Sequence, residues 1–136
     1  MSNRPLLIKG GRILDPSQKL DQVGDVLLRD GKVLSSGTIL DSLPPDCEVL
    51  DATGLIVAPG FIDMHCHLRE PGEEDKETIV TGTRAAVRGG FTTVCCMPNT
   101  IPAIDNVSTV NYVIEKAARE GAARVLCIGA VTRGRL

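Results

Sequence analysis

The chain has 136 residues, of which 43% are hydrophobic and 24% charged, with a formal net charge of -2. That balance belongs to a soluble globular protein rather than a disordered, fibrous or membrane-embedded one. Lys and Arg are scattered singly, which excludes nucleic acid as an expected partner. No apolar run approaches the roughly 20 residues of a membrane helix, and Met1 to Pro5 lack a leader's apolar region, so the expectation is a cytoplasmic chain without membrane contact.

In chain order, residues 1–57 read as a small β-rich flanking domain. Its short strands are Leu6-Leu7-Ile8, Asp25-Val26-Leu27-Leu28, Lys32-Val33-Leu34 and Glu48-Val49-Leu50, separated by clusters of Gly, Pro and Asp. Asp30-Gly31 stands between two of these runs, and Asp-Gly tolerates the positive φ angles of a tight turn, so a hairpin is predicted there. Residues 58–136 change rhythm to strand, helix, strand, helix, strand, the pattern of a parallel sheet with crossover helices. Within 76–90, Ile79, Val80, Thr83, Ala86 and Val87 share a face at helical spacing, and Gly89-Gly90 offers a left-handed exit. Phe91 to Met97 reads as a buried strand stopped by Pro98. Val107, Val110, Ile114, Ala117 and Ala118 repeat the helical spacing before Gly121, and Ala123 to Ala130 reads as a third strand.

Both histidines lie in one stretch, Pro59-Gly60-Phe61-Ile62-Asp63-Met64-His65-Cys66-His67-Leu68-Arg69-Glu70-Pro71-Gly72. On a regular strand Asp63, His65 and His67 point one way and Ile62, Met64 and Cys66 the other. Two imidazoles two residues apart on one strand can share an ion, and imidazole suits zinc and its neighbours. Charged groups where a core strand should carry hydrophobes break the local rule in the way functional sites do. The five cysteines, Cys47, Cys66, Cys95, Cys96 and Cys127, are odd in number and form no Cys-x-x-Cys pair. They read as reduced thiols packed like small hydrophobes. Cys95 and Cys96 are expected on opposite faces of their strand, so at most one could face a metal.

Pro-Gly-Phe-Ile-Asp-x-His-x-His-Leu-Arg-Glu-Pro-Gly resembles the first metal-binding motif of dihydroorotases in the amidohydrolase superfamily. Lys76-Glu77-Thr78, Thr81 to Ala86, Gly89 to Thr93 and Met97-Pro98-Asn99-Thr100 are similar to that family's text in the same order, and Asp30-Gly31-Lys32 and Val49 to Gly54 resemble its small β-domain. The resemblance implies an α/β fold in which residues 58–136 are the N-terminal part of a metal-dependent hydrolase (β/α)₈ barrel, with catalytic groups at the C-terminal strand ends. By resemblance, His65 and His67 are zinc ligands, and Arg69 and Asn99 bind a substrate α-carboxylate. Asp63 either supports the ligands from behind or makes a salt bridge elsewhere.

The implied reaction is the reversible cyclisation of N-carbamoyl-L-aspartate to L-dihydroorotate in pyrimidine biosynthesis, with Zn²⁺ as cofactor. Hydantoinases and allantoinases share Asp-x-His-x-His. Arg69 and Asn99 favour dihydroorotate, because a guanidinium forks onto a ring carboxylate. No residue of the chain is assigned as the general acid and base. The family's aspartate for that role is expected beyond residue 136, so the chain is expected to be a truncated, N-terminal portion. Self-association or association with aspartate transcarbamoylase is the partner expected, and a non-catalytic companion of that enzyme is the alternative from a different class.

Overall fold

A computed structural model describes residues 4–37 and 42–136. Met1 to Asn3, part of the stretch read above as lacking a leader, and residues 38–41 lie outside the described residues. The chain divides into two compact units, Met1–Pro59 and Gly60–Leu136.

In the first unit, β1 (Leu6–Asp15), β2 (Leu20–Arg29), β3 (Lys32–Ser36), β4 (Glu48–Asp51) and β5 (Ile56–Val57) form one mixed sheet. Its order is β3-β2-β1-β4, with β5 also paired to β1. The β2–β3 hairpin turns on Asp30 (φ 51°) and Gly31 (φ 71°), both left-handed, as the Asp-Gly pair predicts. Strand β1 is longer than the apolar run Leu6–Ile8 suggested. The ladder to β2 passes from Ile8↔Val26 to Gly11↔Gly24, so Lys9 and Gly10 bulge, and the freed N–H of Gly10 donates to the carboxylate of buried Asp25 at 2.9 Å. Asp25 was read only as the start of a strand, yet it is the group that lets β1 continue through the two glycines.

The second unit is a three-stranded parallel sheet of order β6-β7-β8, built from β6 (Phe61–Cys66), β7 (Phe91–Cys96) and β8 (Arg124–Cys127). The crossovers carry α1 (Ile79–Arg88) and α2 (Val107–Glu120). Thr78 caps α1 by accepting from the Thr81 N–H at 3.1 Å, and Asn106 caps α2 by accepting from the Thr109 N–H at 3.1 Å. The helices cover one face of the sheet, over a core of Leu68, Ile79, Val94, Cys96, Ile104, Val113, Ala117 and Val125. Thr83, fully buried, donates to Ile79 O at 2.6 Å and accepts from the Ala122 N–H at 3.0 Å, tying α1 to the start of β8. Ile62 (62% exposed), Met64 (76%) and Leu126 (41%) carry no helix over them, so core packing is one-sided among the described residues. No helix among the described residues is long and apolar enough to cross a membrane.

Candidate active site at the C-terminal strand ends

The loops leaving β6 and β7 are stitched together at one edge of the sheet. Met97 N–H donates to Cys66 O at 2.9 Å, and Ile101 N–H donates to Pro71 O at 2.8 Å. Gly72 makes the second contact possible: its φ is 101°, and a Cβ there would sit 2.6 Å from the Ile101 Cβ. His65, His67, Arg69 and Asn99 all lie on this edge.

The strict alternation expected along β6 does not hold. The ladder to β7 passes from Asp63↔Val94 to Cys66↔Cys96, three steps on β6 against two on β7. The extra residue is a bulge, and it turns Asp63 onto the helix-covered face with Cys66 instead of onto the opposite face. Asp63, Cys66 and His67 border a hollow of about 320 Å³ beneath α1, beside Gly82, Ala85 and Ala86. The Asp63 carboxylate accepts from the His65 backbone N–H at 3.0 Å, so it braces the bulged main chain rather than an imidazole. A period-two reading misses this because a bulge is dictated by the partner strand, not by the local text.

His65 and His67 remain neighbours, with ring centroids 5.2 Å apart in an edge-on arrangement. Two imidazoles on one tetrahedral ion, with metal–nitrogen bonds of roughly 2.0–2.1 Å, place their centroids about 5 Å apart, so the pair fits a zinc-sized ion. His67 Nδ1 donates to Asn99 Oδ1 at 2.8 Å, which leaves Nε2 with the lone pair that a metal needs. No group of three or more His, Cys, Asp or Glu among the described residues is placed to hold a metal.

Arg69 sits at φ 62° in a tight turn closed by Leu68 O and the Glu70 N–H at 2.7 Å, a left-handed conformation that non-glycine residues adopt at a cost. Its guanidinium Nη1 lies 3.4 Å from Glu73 Oε2, and Glu73 also binds Lys76. The Lys76 hydrogen bond, more than Arg69, holds the Glu73 carboxyl below its ordinary range. Sequence reasoning paired Arg69 with a substrate and missed Glu73.

It also missed Glu70, whose side chain is almost wholly buried. Its carboxylate accepts from the Ile79 N–H at 2.8 Å and the Tyr112 hydroxyl at 3.1 Å, and lies 3.0 Å from Lys116 Nζ. Glu70 thereby fastens the Arg69 loop to the first turn of α1 and to α2. Glu70 raises the Lys116 ammonium above its usual value through their hydrogen bond, while burial and then Glu70 raise the Tyr112 phenol. The signal available was a Glu before Pro-Gly, which does not reveal burial.

The cysteines divide as expected. Cys66, Cys96 and Cys127 are in register across the three strands on the helix-covered face, and Cys95 is in register with half-exposed Leu126 on the other. Burial pushes the Cys66 and Cys127 thiols up and drives Cys96 to about 11. They are packing thiols.

Solved structures of metal-dependent amide hydrolases, among them dihydropyrimidinase from Brevibacillus agri (TM-score 0.73 at 30% identity, over 93% of this chain and 27% of its own), share this architecture. L-Hydantoinase (dihydropyrimidinase) from Arthrobacter aurescens superposes with a TM-score of 0.83 at 22% identity, over 96% of this chain and 28% of its own, a likeness of fold. The α/β expectation, with opening strands of a TIM-type barrel after a β-rich segment, agrees with that likeness. Residues 54–135 match the dihydro-orotase-like family, and the chain belongs to it. Among curated relatives, dihydroorotases of Trichlorobacter lovleyi and Solibacter usitatus are 55% and 52% identical over 95% and 96% of this chain. The chain spans 30% of the length of each.

Proposed function

We propose that the protein carrying this chain is a dihydroorotase, and that the chain supplies the metal-binding histidines and the carboxylate clamp. The observation that carries the reading is the His65–His67 pair at a separation fitting one ion, with His67 held by Asn99 in the tautomer that frees Nε2. Identity of 52–55% to proteins named dihydroorotase supports it. No particular observation favours an allantoinase, a hydantoinase or a non-catalytic companion of aspartate transcarbamoylase. A cytoplasmic location, and association with that enzyme or between copies of the chain, belong to the same proposal.

In this reading His65 and His67 hold Zn²⁺, and the remaining donors come from outside the described residues. When bound, zinc would acidify water and polarise the ring carbonyl under attack. Arg69 forks onto the substrate carboxylate with the donors that Glu73 leaves free, and the Asn99 amide N–H₂ faces the same group. The clamp fixes the ring so that the scissile amide is presented in one orientation. Asp63 keeps the bulge that sets His65. In the hydrolytic direction water adds to the ring carbonyl carbon, the ring C–N bond breaks, and the nitrogen leaves with a proton; none of the described residues is assigned to that proton transfer.

The test is hydrolysis of L-dihydroorotate, followed by loss of its ultraviolet absorbance, compared with allantoin and hydantoin. Arg69→Ala should lower kcat/KM by about 30-fold or more, because losing one member of a hydrogen-bonded charge pair costs roughly 2–5 kcal/mol. Preferred turnover of hydantoin, or near-normal kinetics in Arg69→Ala, would overturn the proposal.

A further inference from the structure

Two imidazoles stand side by side, but they are positioned by different means. His65 is set through its main chain, whose N–H is taken by Asp63 at 3.0 Å. His67 lies one residue beyond the end of β6 and so has no ladder partner of its own. Its ring is held from another segment, by Asn99, 32 residues away, at 2.8 Å.

The segment bearing Asn99 does not depend on His67 for its place. Met97 N–H is bonded to Cys66 O at 2.9 Å, Ile101 N–H to Pro71 O at 2.8 Å, and the buried Thr100 hydroxyl donates to Pro102 O at 2.7 Å. Bonds on both sides of Asn99 place its main chain without using the His67 ring. A neutral carbonyl oxygen can only accept, so it keeps the proton on Nδ1 and the lone pair on Nε2. The other tautomer would place an N–H where a cation has to bind, and a flipped ring would place a C–H there.

We infer that Asn99 is a positioning residue for His67: its carbonyl oxygen selects the Nδ1–H tautomer and ring orientation, and thereby makes His67 metal-competent. This rests on the reading of His67 as a metal ligand and is separate from any contact of the Asn99 N–H₂ with substrate. The two ends of one amide then serve two groups, with the oxygen on the ligand and the nitrogen toward the substrate carboxylate.

The experiment separates them with two substitutions in the protein carrying this chain. Zn²⁺ and Co²⁺ affinities are measured by competition with a chromophoric chelator, and the His67 tautomer by nitrogen-15 NMR of the metal-free protein. Asn99→Leu should bind metal about 10- to 100-fold more weakly, as loss of a ligand's hydrogen-bond partner does, and should show mixed tautomers. Asn99→Asp, whose carboxylate still accepts from Nδ1–H, should keep both metal affinity and tautomer while losing affinity for dihydroorotate. Wild-type metal affinity with an unchanged Nδ1–H tautomer in Asn99→Leu would overturn the inference. His67→Ala is the control for the reading beneath it. If that variant binds zinc like wild type, the ligand assignment fails, and an unchanged tautomer in Asn99→Leu, read without metal, still decides against Asn99.

Discussion

Glu70→Ala removes the one acceptor shared by the Ile79 N–H, the Tyr112 hydroxyl and the Lys116 ammonium. Ile79 is fully buried, so its N–H finds no water in exchange, and a stranded buried donor costs about 1–3 kcal/mol. Breaking a fully buried ion pair would add about 3–5 kcal/mol. Lys116, however, keeps Glu120 at 3.3 Å and is 23% exposed, which brings its share nearer the roughly 0–1 kcal/mol of surface pairs. The sum is about 1–4 kcal/mol, concentrated where the loop meets α1. Glu70→Gln, which can still accept from Ile79, should cost about half as much. Amide hydrogen exchange reads the site directly: with each 1.4 kcal/mol a factor of ten, exchange at Ile79 should speed up roughly 5- to 700-fold in Glu70→Ala. A rise below about threefold with an unchanged urea midpoint would refute the view that Glu70 anchors this loop.

Two further outcomes follow from the charged and thiol groups. The Glu73 carboxyl lies below its ordinary value of 4.5, chiefly through Lys76, so its contribution is fully present above that pH and is lost as pH falls through the lower folded value. Glu73→Gln should therefore lose less stability than wild type on acidification from about pH 5 downward, followed by circular dichroism; parallel acid profiles would sink this. Cys96 is fully buried, with its thiol driven to about 11, so a thiol reagent at about pH 8 should label it only on unfolding. Labelling of Cys96 as fast as that of a free thiol in the folded protein would show that the helix-covered face is open.

Features whose conformational demand is met by the residues that carry them were legible in the sequence. Asp30 and Gly31 adopt the left-handed angles their types tolerate. Of the helical spacings read from the sequence, Ile79, Thr83 and Ala117 became buried, whereas Val87, Val107 and Ile114 stayed exposed and Thr109 and Val113, which the reading did not name, took their place in the second helix. The His-x-His pair was visible as two like side chains on one short segment.

What the tertiary structure decided are the relations between segments. Strand β1 runs through Gly10 and Gly11 because Asp25, 15 residues away, takes the N–H that the bulge frees. Asp63 leaves the histidines' expected face because the ladder to β7 needs an extra residue on β6. Glu70 and Glu73, both plain acids in the sequence, differ because the β6–α1 loop buries one against α2 and leaves the other on Arg69. In each case the deciding partner is a hydrogen-bonding group whose distance in space is not encoded by its distance along the chain, and an unpaired buried polar group is costly enough to move a backbone toward it.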